Sequence, residues 1–187
     1  MATSDDDRTV FTRLWVEHMA AVRAFAWRRC PSEMVDDVVN ETFVVAWRNL
    51  AVVPEQARPW LLGCARRVIH TRLRSRDRYL ALQQRAGDDA GAMVAVGVDD
   101  QVVDRQVMVR AWAQLGPDDR EALALSCWDG LDAAQAAQTL GCTPMAFRAR
   151  LSRARRRLAA LVDAALGDAP PPSGNRQEAP GCAITIS

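Results

Sequence analysis

Apolar residues recur every three to four positions through most of the chain, and the stripes they form predict a succession of amphipathic helices. Between Val10 and Cys30, Phe11, Leu14, Trp15, Val22 and Phe25 keep to one side, while Arg13, Glu17, Arg23 and Arg28 keep to another. Pro31 ends this helix, and Ser32 is placed to cap the next, Glu33 to Leu50. Its stripe is Val35, Val38, Val39, Phe43, Ala46 and Trp47, and its opposite edge is Asp36, Asp37, Asn40 and Glu41. Carboxylates at a helix start suit the dipole, which accounts for Glu33, Asp36 and Asp37 but poorly for Asn40 and Glu41. After a loop from Ala51 to Arg58, Pro59 can open a third helix with Trp60, Leu61, Cys64, Val68, Ile69 and Leu73 at helical spacing. Its other side collects Arg66, Arg67, Arg72, Arg74, Arg76 and Arg78.

The stripe stops at Arg85. From there to Asp100 the chain is rich in Gly, Ala and Asp, which predicts a flexible connector between two helical modules. A helix resumes from Gln101 to Leu115, Gly116-Pro117 breaks it, and Asp118, Asp119 and Glu121 load the first turn of another that ends near Trp128-Asp129-Gly130. The next segment, Asp132 to Leu140, is alanine-rich and nearly uncharged. Asp132 is its N-cap and Gly141 its left-handed terminator, and Thr143-Pro144 start a new helix almost at once, which continues to about Leu166. Two helices joined by so tight a corner outline a helix-turn-helix. In the second of them Phe147, Leu151, Ala154 and Leu158 form a stripe able to pack on Ala136, Ala137 and Leu140. Arg148, Arg150, Ser152, Arg153, Arg155, Arg156 and Arg157 cover the rest with no acid among them. A charge run is usually only a solvated face, but here it lies where a recognition helix enters a major groove.

Composition changes this picture in one respect. The net charge of +1 would discourage a nucleic-acid reading, yet all 24 basic residues are arginine and half lie in the clusters Arg66 to Arg78 and Arg148 to Arg157. Local field therefore matters more than net charge. The five cysteines form no CxxC pair, and with only His18 and His70 beside them there is no metal-ligand spacing, so neither metal nor cofactor is expected. Carboxylates sit at helix starts and do not converge on a histidine, so no catalytic residues are assigned and the chain is not expected to be an enzyme or to take a small-molecule substrate. There is no secretory signal and no apolar run of the roughly 20 residues a spanning helix needs, so a cytoplasmic protein without membrane insertion is expected.

In combination these motifs resemble the extracytoplasmic-function (ECF) group of bacterial RNA polymerase sigma factors, over roughly Val10 to Leu166. DDVVNETFVVAWRNL, Asp36 to Leu50, resembles that family's region 2.2; PWLLGCARRVIHTRLRSRDR, Pro59 to Arg78, resembles regions 2.3 and 2.4; and LDAAQAAQTLGCTPMAFRARLSRARRRL resembles region 4.2. Arg67 replaces a common asparagine, Thr71 stands where aspartate is frequent, and Pro144 to Phe147 takes the place of the usual x-G-T-V. The resemblance implies an all-α protein of two small domains joined by a flexible linker: a region 2 bundle, 10–84, and a region 4 helix-turn-helix, 101–166. They are separated by a linker, 85–100, and flanked by disordered termini, 1–9 and 167–187. It implies core polymerase contacts, on the β′ clamp helices, from Asp37, Asn40 and Glu41. It implies minus-ten promoter contacts from the loop Val52 to Arg58 and from Arg58, Trp60, Arg66, Arg67, His70 and Arg74, although Trp60 on an apolar stripe also reads as core. By position, Arg148, Ala149, Ser152 and Arg153 would read the minus-thirty-five element, while Arg150, Arg155 and Arg156 meet phosphates or the polymerase β flap. Family habit adds an anti-sigma partner. Two alternatives stay open: a free-standing helix-turn-helix regulator that binds duplex DNA without polymerase, and a helical adaptor that uses its arginines on acidic proteins.

Overall fold

The computed structural model describes residues 5–84 and 102–167, and every regular element among them is a helix. The first half holds α1 (Asp5–Trp27), α2 (Val35–Arg48) and α3 (Ala57–Gln84), with short 3-10 turns at Ser32–Met34 and Leu50–Val52. The second holds α4 (Val102–Gln114), α5 (Pro117–Cys127), α6 (Ala133–Leu140) and α7 (Pro144–Gly167). The expected connector and tail lie outside the described residues, apart from the ends of the flanking helices.

Three boundaries differ from the sequence expectation. α1 starts at Asp5, not Val10, because Asp5, Asp6 and Asp7 place three carboxylates on the electropositive first turn. The expected disorder of 1–9 is thereby corrected for residues 5–9. Ser32 does not cap α2 with its side chain; the chain enters through the 3-10 turn, with Met34 at the N-cap position. α3 begins at Ala57, which places Pro59 within its first turn, where a missing N–H costs no intrahelical bond.

The helix-turn-helix forms as its sequence dictates. The Asp132 carboxylate accepts the amides of Ala134 and Gln135 at 2.8 and 2.9 Å, and the Gln135 side chain accepts the Asp132 amide, completing a capping box. Gly141 closes α6 at φ 70°, a left-handed conformation that costs a β-carbon-bearing residue 1–2 kcal/mol by rough estimate. Thr143 Oγ1 then accepts the Ala146 amide at 3.2 Å and starts α7.

One apolar cluster joins the two halves. Phe25, Val38, Phe43, Leu61, Leu62 and Ile69 of α1–α3 are buried in the same cluster as Leu125, Leu131, Ala136, Ala137 and Phe147 of the second half. α6 lies directly on α3: Thr139 Oγ1 donates to the Pro59 carbonyl at 3.1 Å, and a β-carbon on Gly63 would come within 3.3 Å of the Thr139 carbonyl oxygen. Glycine at 63 permits that close approach. The α7 stripe is accordingly divided. Phe147 packs with Ala136 and Ala137, whereas Ala154 and Leu158 turn to Trp112 of α4, Leu115 just after it and Leu123 of α5 in a second, smaller cluster.

Candidate nucleic-acid interface

α7 presents the first basic surface. With Phe147 and Ala154 buried, helical geometry turns Arg148, Ala149, Ser152, Arg153, Arg155 and Arg156 outward, and all six are exposed. Two of the arginines on this helix are tied to α5 instead. Arg157 Nη1 meets the buried carboxylate of Asp119 at 2.6 Å, and Arg150 lies 3.9 Å from Asp118. These pairs anchor the helix and leave a four-arginine strip free of ion pairs among the described residues.

The arginines of α3 divide three ways. Arg72 bridges back to α2, donating to Glu41 at 2.8 Å and to Asp37 at 2.9 Å, and Arg76 meets Glu33 at 3.2 Å. The hydrogen bond to Glu41 leads the causes that hold the Arg72 guanidinium even more firmly protonated than usual. Glu41, which the dipole account left unexplained, thus has an intramolecular partner as well as a half-open face, and Asn40 is exposed beside it. Arg67, Arg74 and His70 remain at the surface, with Arg67 donating to Cys64 Sγ at 3.3 Å and Arg74 to the His70 carbonyl at 3.2 Å. Desolvation, with Arg66 and Arg74 nearby, lowers the His70 pKa, so near neutral pH it offers a hydrogen bond and no positive charge. Trp60 is half-buried against the apolar cluster, as its place on the stripe anticipates.

The third group faces the second half of the chain. Arg58 Nη2 donates to the Asp129 carbonyl at 2.6 Å, and Arg66 lies 3.8 Å from Glu121. Two residues to which the sequence reading assigned no site role, Arg28 and Arg29, complete the contact. Arg28 pairs with Asp129, and Arg29 bridges Asp129 at 2.7 Å and Glu121 at 3.0 Å while its guanidinium lies 3.6 Å above the Phe25 ring. Asp129 is 2% exposed and Arg29 10%. Periodicity could mark Arg28 as polar but could not pair it with a residue 101 positions away. A single signal existed: Asp129 sits before Gly130, whose φ of 62° turns the corner from α5 into α6.

A helix-turn-helix with an outward arginine strip, carried beside a second helical body with its own basic face, defines a DNA-binding protein of the transcription machinery. Residues 14–79 match Sigma-70 region 2, and residues 105–158 match Sigma-70, region 4. The chain is 34% identical over 155 residues to the RNA polymerase sigma factor CnrH of Cupriavidus metallidurans, covering 77% of this chain and 80% of that one. It is 36% identical over 146 residues to the ECF RNA polymerase sigma factor SigC of Mycobacterium tuberculosis, covering 73% and 70%. Among solved structures it is similar to the Bartonella quintana sigma factor RpoE in complex with the anti-sigma factor NepR, with a TM-score of 0.63 and 26% identity over 82% of this chain and 96% of that one. CnrH in complex with the cytosolic domain of CnrY matches with a TM-score of 0.55 and 26% identity over 82% and 88%. The chain belongs to the ECF family of RNA polymerase sigma factors. Among the described residues no helix is long and apolar enough to cross a membrane.

Proposed function

We propose that the chain is a dissociable, non-enzymatic promoter-specificity subunit acting in the cytoplasm, with region 2 spanning 10–84 and region 4 spanning 101–166. In this reading Asp37, Asn40 and Glu41 on α2 meet the β′ clamp helices. Arg58, Trp60, Arg66, Arg67, His70 and Arg74 on α3 hold the minus-ten element. Arg148, Ala149, Ser152 and Arg153 on α7 read bases of the minus-thirty-five element, and Arg155 and Arg156 hold its phosphates. An anti-sigma factor is a further expected partner, as in the RpoE–NepR and CnrH–CnrY complexes. The observation that carries the reading is the exposed arginine strip of α7, presented by a capped helix-turn-helix. Arginine can hold guanine with two hydrogen bonds, a contact worth about 1–3 kcal/mol of discrimination.

The test is co-purification with core RNA polymerase followed by promoter-dependent transcription. Asp37→Ala with Glu41→Ala should abolish co-purification, whereas Arg72→Gln, which removes only their intramolecular partner, should retain it. A chain that binds duplex DNA tightly and specifically but never core polymerase would instead be a free-standing regulator.

A further inference from the structure

A recognition helix reaches base edges with the residues of its amino-terminal turns. Met145 is the second residue of α7; it is 76% exposed and joins neither apolar cluster among the described residues. A single exposed apolar side chain is ordinary on a protein surface. The direction of this one sets it apart. At about 100° per residue, the buried Phe147 and Ala154 lie roughly 200° and 180° around the helix from Met145, so its side chain points away from the body that carries α7. On the same wheel the exposed Arg148, Ala149 and Ser152 all fall within about 60° of it. Met145 therefore stands near the middle of the face to which the proposed function gives base reading.

Its chemistry differs from that of the strip around it. Arg148, Arg153 and Arg156 gain from any duplex, because phosphate attracts a guanidinium whatever the sequence. A thioether gains nothing from phosphate and gains only where apolar surface leaves water together with it. In the major groove one base supplies such surface, thymine, through its C5-methyl group. Against cytosine or a purine the same side chain would cover donors and acceptors without satisfying them, which weakens binding. Ala149 follows Met145 by one turn, about 6 Å along the axis, which against about 3.4 Å between stacked pairs lets each residue face its own base pair. In the motif x-G-T-V whose place Pro144 to Phe147 takes, the position of Met145 carries no side chain, so the contact belongs to this chain and not to the motif.

We propose that Met145 is a specificity-determining residue of the upstream contact, reading a thymine of the minus-thirty-five element by packing on its C5-methyl group. The inference rests on the sigma-factor reading and deepens it. The arginine strip supplies affinity and guanine recognition, and Met145 adds a preference for thymine at one further position. Because the contact involves no charge, that preference does not depend on salt.

The test uses holoenzyme assembled from the full chain and core RNA polymerase. A duplex library randomised across the upstream element, enriched by holoenzyme binding and sequenced, should show a thymine at one position. Its enrichment should be lost with Met145→Ala and kept with Met145→Leu. On fluorescein-labelled duplexes of the enriched sequence, replacing that thymine by uracil removes the methyl group and nothing else. This exchange should weaken wild-type binding about fourfold, the order expected for one buried carbon group. Met145→Ala should bind the thymine and uracil duplexes alike, with the slope of log K against log salt unchanged, and Met145→Leu should again tell them apart. The proposal is overturned if Met145→Ala enriches the same element as wild type, or if no thymine-to-uracil exchange within the element changes wild-type affinity. It is equally overturned if Met145→Ala weakens both duplexes by the same factor, which marks a role in helix stability or docking without base reading. A wild-type holoenzyme that enriches an upstream element but fails these arms removes only the role of Met145. A chain that forms no holoenzyme, or whose holoenzyme enriches no upstream element, removes the sigma-factor reading and this inference with it.

Discussion

Cys30 and Cys64 show how far a side chain's chemistry follows from its burial in the fold. Cys64 lies on the apolar stripe of α3 and Cys30 in the turn that follows α1; both are buried, and burial pushes both thiols above their ordinary pKa, while for Cys64 the hydrogen bond from Arg67 opposes this without overcoming it. A raised folded pKa means that the unfolded chain loses the proton first. The resulting stabilisation is fully present below the unfolded thiol pKa, about 8.5, and is lost as pH rises through the higher folded value. Two outcomes follow. Iodoacetamide at pH 8 should alkylate exposed Cys127 while Cys30 and Cys64 resist until denaturant is added, which peptide mass spectrometry would read directly. The urea midpoint should also fall between pH 8 and 10, and less so in a Cys30→Ala, Cys64→Ala variant. Fast labelling of Cys64 in the folded chain would show that its site on α3 is open in solution.

At the scale of the element, α7 separates two kinds of arginine that look alike in sequence. Arg157 and Arg150 appear in the same run as Arg153 and Arg156, yet Arg157 is held by buried Asp119 and Arg150 lies near Asp118. Replacing Arg153 by Ala should relax preference at one base position of the upstream element, at a cost of about 1–3 kcal/mol on the preferred sequence. Replacing Arg156 should weaken all duplexes alike and lower the salt slope by about one unit. Fluorescence anisotropy on a panel of single-base duplex variants distinguishes these outcomes, and a uniform loss for Arg153 would show that the base-reading face lies elsewhere on the helix. Each element was legible because the forces that make it are local. Asp132, Gly141, Thr143 and Pro144 act within a few residues of themselves, and they mark α6 and α7 without reference to the rest of the chain. The α3–α6 contact and the Arg29–Asp129 pair were not legible. They join residues up to 100 apart across a glycine-rich connector whose composition argues only for separation, and neither a lone Gly63 nor an arginine after a helix end says what will approach it.

For the whole molecule the decisive quantity is how firmly the two halves hold each other. The second half has little apolar substance of its own: Leu115, Leu123 and Ala154 are fully buried in its separate cluster, while Leu131, Ala136, Ala137 and Phe147 are buried together with the first half. A body this small depends on its neighbour for stability. Removing one side of a buried ion pair ordinarily costs about 3–5 kcal/mol, because the remaining charge stays dry. Here the arginines have another course, since separation of the halves returns them to water. The penalty cannot exceed the free energy that holds the halves together, so it appears as opening before it appears as unfolding of the first half. Calorimetry should therefore record one cooperative transition for the wild type and two for Glu121→Gln, Asp129→Asn. The lower-temperature transition should belong to 102–167, identified by early loss of amide protection in α4 to α7, while α1 to α3 melt near the original temperature. A double variant that still melts in one step at the wild-type temperature would mean that the shared apolar cluster alone keeps the molecule closed and that the arginine–carboxylate contact adds nothing to it.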